Sequence, residues 1–592
     1  MTDLSLPYSR LFRTMGRRVV RLGRWRAALM LAIASMVGLA GGVVVFLVGR
    51  LTALLHALLY AVADGGHLSE EAALHAPWMA VVPLLGGAML GVSIILARRF
   101  RTRPPVDPIE ANAIHGGLMS FRESVIVTAQ TVISSGFGAS VGLEAGYTQL
   151  SASLGSRLGK TLRLRRHELR LLVGCGAAAA IAAAFDAPFT GAFYAFELII
   201  GVYSIGTLAP VIAAALCGSF LAHRLGALQS SIALGIVPTL SARDVIPFFI
   251  LGMLCAVLAI GLMLSVAMIE RGFSRLKIAQ PIRPAIGGVI VGGMALVTPA
   301  VLSTGHGALE AQISAQTGLA WIAALFALKF VASSISLGAG FRGGLFFASL
   351  LMGALFGKLF GTLVALSGLA PNIDPTLAIV VGMASLAAGV VGGPLTMTFL
   401  VLETTGDLTI SAAVMVAAAI SVFMVRELFG YSFSTWRFHL RGENIHSPHD
   451  VGRVRNLTVG KMMRLDVRKA GERMTLVEFR SKYPLGSTKR VVVTDAAGKY
   501  VGVVLVADAF QPHVEEEPPD QTIAGLVRYR DTFLLPGLNA ADAAPLFQKA
   551  DSEELAVVDN LGNRNVVGLL TEAHLLRRYS EELDKGLKDL TG

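Results

Sequence analysis

Charge is scarce in this sequence. Only 15% of its 592 residues are Asp, Glu, Lys or Arg, against about 25% in an ordinary water-soluble domain. That is too little to clothe a solvated surface, which excludes a soluble globular chain of this length. Cysteine is scarcer still. Cys175, Cys217 and Cys255 stand far apart in apolar sequence, with no CxxC pair and no Cys/His ligand spacing, so they read as packed thiols and no metal centre is expected. The twelve histidines show no ligand spacing either. No nucleophile–base pair stands out, so an enzyme is not the reading. The net charge of +11 lies at the flanks of apolar runs rather than in a patch, and nucleic acid is not an expected partner.

What the sequence has in quantity is uncharged apolar length. Ala27–Gly49 carries no charge over 23 residues, enough for a helix to cross roughly 30 Å of hydrocarbon. Similar runs begin at Trp78, Leu171, Ile246, Trp321, Gly343 and Leu377, and they stop near Arg441. Arg17, Arg18, Arg21, Arg24 and Arg26 precede the first run, and Arg98, Arg99, Arg101 and Arg103 follow the second. The stretch between those runs is acidic, with Asp64, Glu70 and Glu71. Positive flanks stay on the cytoplasmic side, so the N-terminus is expected inside a cell (plasma or inner) membrane, with the chain passing out and back. The first run is too long for a signal peptide, and no small-residue cleavage site follows it. Membrane lipid is therefore an expected partner.

The apolar region repeats itself. Ala187-Pro188-Phe189-Thr190 leads to Glu197, and Gly393-Pro394-Leu395-Thr396 leads to Glu403, each proline nine residues ahead of its glutamate. Gly136-Phe137-Gly138-Ala139-Ser140-Val141 precedes Pro188 by 52 residues, and Gly340-Phe341-Arg342-Gly343-Gly344-Leu345 precedes Pro394 by 54. Two motifs in the same order at nearly the same spacing point to duplication. Irregular backbone at membrane depth survives only where protein buries it or a wet cavity receives it. In corresponding places of two halves it marks a transport site. Glycine exposes backbone N–H groups and a following helix adds its positive end, which together suit an anion. The plainer reading is that glycine only lets helices pack closely.

Gly142-Leu143-Glu144-Ala145-Gly146 is similar to the GREGP segment of the CLC family of chloride channels and proton-coupled chloride exchangers. Gly344-Leu345-Phe346-Phe347-Ala348 is similar to its GxFxP segment. Phe185-Asp186-Ala187-Pro188 and Gly393-Pro394-Leu395-Thr396 match two further landmarks. The resemblance covers nearly the whole chain. It implies an all-α polytopic membrane domain over residues 1–440, built as an inverted repeat, and a homodimer with one pathway per subunit.

Glu144, an ionisable group in membrane-embedded sequence, is a functional candidate by default, and the resemblance implies the gating glutamate. Deprotonated, it occupies the anion path; protonated, it swings away. The plainer alternative is a carboxylate that only caps a helix start. The resemblance also implies an anion held by backbone groups of Gly142, Leu143, Gly344, Leu345 and Phe346, and a pore hydroxyl at either Tyr431 or Phe433. If Phe433 holds that place, the hydroxyl is absent.

Three departures qualify the match. The GSGIP segment has no clear copy, and the nearest stretch, Pro104-Pro105-Val106-Asp107-Pro108-Ile109-Glu110, has proline where serine is expected. Leu143 replaces the arginine beside the gating glutamate. Leu198 stands where proton-coupled members often carry an internal glutamate, which leans toward a channel, although some exchangers also lack it. Glu197 and Glu403, being counterparts, suggest shared structural roles.

Residues 441–456 read as a linker. Beyond it, 457–510 and 520–580 resemble a pair of α/β CBS domains, expected in the cytoplasm. Val-rich runs alternate with polar turns there. Such pairs often bind adenine nucleotides through a GxxTxxD-like segment. Gly502 leads to Asp508 with Leu505 in the Thr position, and Gly568 leads to Thr571 with His574 in the Asp position. Asp508 and Thr571 are thus nucleotide candidates from incomplete motifs, and a structural or dimer-contact role stands beside that reading. No other cofactor is expected. Two rival classes remain: a cation transporter using Glu144, Asp186, Glu197 and Glu403 as ligands, and a membrane-anchored nucleotide sensor.

Overall fold

The structure is a computed structural model describing residues 8–63, 65–100, 105–227, 245–315, 317–368, 374–440, 457–511 and 521–591. Two compact units divide the chain, Met1–Asp450 and Val451–Gly592. The expected linker 441–456 and Pro104 lie outside the described residues.

Among the described residues, the first unit is built of helices. It opens with α1 (Tyr8–Tyr60), α2 (Val82–Phe100), the short α3 (Pro108–Ala113) and α4 (Phe121–Gly136). There follow α5 (Glu144–Thr161), α6 (Arg166–Phe185), α7 (Pro188–Tyr194) and α8 (Ile205–Arg224). The later part runs through α9 (Val245–Arg275), α10 (Arg283–Ala295), α11 (His306–Ser314), α12 (Leu319–Gly338) and α13 (Phe346–Leu366). It ends with α14 (Pro375–Val391), α15 (Pro394–Thr405), α16 (Leu408–Leu428) and α17 (Phe433–Leu440). Among the described residues, eight helical segments are long and apolar enough to cross a membrane. Two of them, Ile205–Arg224 and Leu408–His439, were not among the runs anticipated from sequence.

The duplication is visible as architecture. α4, a Gly-rich break, α5, α6 and the proline-started α7 recur as α12, a Gly-rich break, α13, α14 and the proline-started α15. Past Arg170, α6 is apolar all round, as is α14, and both are almost wholly buried, as a helix without a polar face must be. Each packs closely on the helix before it. A Cβ at Gly155 would strike the Leu172 carbonyl, and one at Gly357 the Ala378 carbonyl. Those glycines do serve close packing.

The second unit holds two small sheets. β1 (Lys469–Gly471) runs parallel to β2 (Arg490–Thr494), which pairs antiparallel with β3 (Tyr500–Leu505). β4 (Glu554–Val558) and β5 (Val566–Thr571) form an antiparallel pair. The sheets exchange flanking chain: Arg464 bridges to Leu569 beside β5, and Arg528 to Val503 in β3. Leu457, Val459 and Met462 pack with Phe547 and Leu555 of the later lobe. This is a pair of α/β lobes. Tyr500 ties them together, its hydroxyl donating to the Tyr529 and Thr532 carbonyls at 2.8 and 3.1 Å. Burial pushes that phenol above its ordinary range.

Candidate functional site

The two Gly-rich breaks meet. Gly142 N–H donates to the Gly344 carbonyl at 2.9 Å, and Gly344 N–H to the Gly142 carbonyl at 3.1 Å, an antiparallel bridge between the halves. Two equivalent segments meeting antiparallel accord with halves related by a two-fold axis. The approach is too close for side chains: a Cβ at Gly142 would collide with the Glu144 carboxylate, and one at Gly344 would lie 2.8 Å from Glu144 Cγ.

Each break ends in a helix start. Leu143 and Leu345 are the N-cap residues of α5 and α13. Glu144, the first residue of α5, is buried, and its side chain crosses to the other half. Its Oε1 accepts from Phe347 N–H at 3.1 Å, while Oε2 has no partner among the described residues. The first N–H groups of a helix have no intrahelical acceptor, so the start of α13 offers donors to whatever sits there. The carboxylate takes the Phe347 N–H and also feels that of Phe346, one of the two groups expected to hold the anion. Phe185 encloses the spot, its ring 4.7 Å from that of Phe346 and 4.3 Å from that of Phe347.

Positive charge reaches Glu144 from elsewhere than its neighbour Leu143. Lys329 of α12 is fully buried, donates to the carbonyls of Val301 and Ser303 at 3.1 and 3.0 Å, and lies within electrostatic reach of Glu144. It is the single charged residue between Leu319 and Gly338. An ion in such a run is a functional candidate by default, and that signal was readable in sequence.

The segment expected to replace GSGIP opens α3. The residue at its helix start is Asp107, with Pro108 at the first helical position. Asp107 accepts from Ile109 N–H at 2.9 Å. Of the two residues weighed for the pore hydroxyl, Tyr431 directs its own to His439 Nδ1 at 3.0 Å. Phe433 begins α17 and is buried in the core that also holds Phe346. Tyr147 and Tyr194 lie near Glu144 instead, and sequence reasoning missed both.

Leu198 lines a small cavity together with Glu197, Arg426, Ser432 and Thr435. Glu197 and Glu403 are reciprocal caps. Glu197 accepts from Leu395 N–H, Thr396 N–H and the Thr396 hydroxyl at 2.9, 2.8 and 2.6 Å. Glu403 accepts from Phe189 N–H, Thr190 N–H and the Thr190 hydroxyl at 2.8, 2.8 and 2.7 Å. Each half thus caps the proline-started helix of the other. Asp186 accepts from the Ser219 hydroxyl at 2.5 Å and lies 3.4 Å from His223. The four acids of the cation reading occupy separate hydrogen-bond sets, and no metal-holding group of three or more His, Cys, Asp or Glu occurs among the described residues.

In the second unit, Asp508 pairs with Arg528 at 2.8 Å. The Thr571 hydroxyl accepts from His574 N–H at 3.3 Å, at the start of the helix Glu572–Thr591. The two nucleotide candidates sit in different lobes, each with protein partners.

The sequence profile described as "Voltage gated chloride channel" matches residues 90–426. A ClcB-like protein of Ralstonia nicotianae is 33% identical over 386 residues, 64% of this chain and 89% of that protein. A protein of Escherichia coli named voltage-gated ClC-type chloride channel ClcB is 31% identical, over 62% of this chain and 88% of its own. Among solved structures, a slow cyanobacterial Cl⁻/H⁺ antiporter aligns with TM-score 0.62 at 21% identity, over 70% of this chain and 97% of its own. A eukaryotic CLC transporter aligns with TM-score 0.55 at 16% identity, over 92% of this chain and 97% of its own.

Proposed function

Because this chain belongs to the voltage-gated chloride channel (CLC) family of multi-pass membrane anion channels and transporters, we propose that it is a chloride channel gated by Glu144. The observation that carries the reading is the carboxylate lodged at the start of α13, on Phe347 N–H, beside the Gly142–Gly344 bridge. A helix start is an anion seat. An ionised Glu144 fills that seat with its own charge and competes with chloride. Protonation removes the charge that the seat holds, and the side chain leaves.

Coupling chloride to protons would need an inner relay. Leu198 has no titratable atom, so chloride movement here is uncoupled. Exchange is the second reading, favoured by the cavity beside Leu198, which has room for water. The fold neighbours described as a Cl⁻/H⁺ antiporter and a CLC-type fluoride/proton antiporter raise the same alternative. We further assign the protein to the plasma or inner membrane with both termini cytoplasmic, as a homodimer. The apolar helix faces left exposed in one chain, such as Leu208 and Phe220 of α8, would meet lipid or the second copy.

Reconstitution with simultaneous chloride and proton recording tests the proposal. Glu144→Gln raises chloride flux and abolishes its pH dependence. A mutant that keeps the wild-type pH response removes Glu144 from the gate. Chloride-driven proton uptake against a gradient replaces channel with exchanger.

A further inference from the structure

Two phenols beside Glu144 have no role in the gate as described. Tyr147 lies three residues into α5 from Glu144, a spacing that makes their side chains neighbours on one helix face. It is buried, and its hydroxyl has no hydrogen-bond partner among the described residues. Tyr194 closes α7, its ring centroid 6.3 Å from that of Phe346, the residue that opens α13. Both phenols and Glu144 are within electrostatic reach of one another.

Polar groups thus gather without bonding to each other. A buried hydroxyl lacking a partner is destabilising, and such groups are nearly always satisfied by something. Glu144 Oε2 is an acceptor in the same place, yet it takes neither hydroxyl. When Glu144 leaves, two O–H donors and the Phe347 N–H remain, and donors gathered without an acceptor suit an anion. Asp107 is also near Tyr194, with its carboxylate accepting from Ile109 N–H. The resemblance implies a pore serine and a pore tyrosine; here Pro105-Val106-Asp107 precedes α3, and the Tyr431 hydroxyl turns to His439.

We propose that the Tyr147 and Tyr194 hydroxyls form the side-chain half of the anion site next to Glu144, in place of the family's pore serine and tyrosine, and that they set which anion this chain prefers. The proposal rests on the chloride-conducting reading above. Calorimetric chloride binding and liposome flux, on full-length wild type and on Tyr147→Phe, Tyr194→Phe and the double variant, test it. Each single change weakens chloride binding about ten-fold, the worth of a hydrogen bond to a charged group, and shifts the chloride-to-nitrate flux ratio. A double variant that elutes like wild type and binds chloride equally well overturns the inference while leaving chloride conduction intact. Wild type that neither binds nor passes chloride overturns the conduction reading itself, and this inference with it. Bromide soaked into wild-type crystals gives an independent readout needing no variant. An anomalous peak about 3 Å from a phenol oxygen supports the site, and a pore peak away from both refutes it.

Discussion

Replacing Glu197 by Gln tests whether the paired glutamates are structural or proton-relaying. Glu197 holds three donors at the start of α15, at 2.6 to 2.9 Å. Each bond to a charged acceptor contributes about 1.5–3 kcal/mol net. Glutamine keeps one acceptor oxygen and turns an NH₂ group toward an N–H donor, so roughly half of that stabilisation goes, on the order of 2–4 kcal/mol. The same count applies to Glu403 at the start of α7. Both single variants should therefore lose thermal stability to a similar degree in detergent, followed by tryptophan fluorescence or by elution after heating. Because the two caps brace one contact between α7 and α15, the double variant should depart from additivity. Chloride and proton movement in surviving protein should stay as in wild type. Glu197→Gln with an unchanged melting transition but altered proton movement would refute the capping argument.

Two further outcomes follow from buried partners. Lys329→Met leaves the Val301 and Ser303 carbonyls without their donor and removes a positive charge near Glu144; chloride efflux from liposomes should fall several-fold, and adding Leu143→Arg should restore part of it. Adenine nucleotide should not bind the second unit at millimolar concentration in isothermal titration of the full chain, because Arg528 already holds the Asp508 carboxylate and His574 stands in the other acidic position; saturable ATP binding would show that the Arg528 pair opens.

The membrane class, the duplication and the place of Glu144 were legible because they are local. Uncharged length reads directly as a span, and the glycines and prolines mark breaks wherever the chain goes afterward. Two spans escaped the eye, Ile205–Arg224 and Leu408–His439, and both are interrupted or flanked by polar and charged residues. What was not legible depends on contacts between distant positions. Nothing in Gly142-Leu143-Glu144 says that its carboxylate will take the Phe347 N–H, 203 residues away. Tyr431 and Phe433 could not be told apart by spacing; the His439 contact that claims the Tyr431 hydroxyl is a fact of side-chain direction. Tyr194 looks like one more aromatic in an apolar run, and only the end of α7 brings it near Glu144.

The exchange of parts between halves bears on why the pathway tolerates its departures from the family pattern. Glu144 comes from the first half, and its backbone donor and its nearby cation, Lys329, come from the second. Glu197 caps the second half, and Glu403 caps the first. Neither half holds both the Glu144 carboxylate and the groups that meet it. Leu143 is apolar, but the Lys329 amine of the other half lies within electrostatic reach of Glu144. If the phenols act as proposed, the same logic extends to the pore hydroxyls, with donors moved onto the helices that carry the gate and the first proline-started segment. A seat defined by backbone N–H groups keeps its position while its side chains change. Side-chain substitutions should therefore alter which anion this chain prefers and how fast it passes, while the place where the anion binds stays fixed.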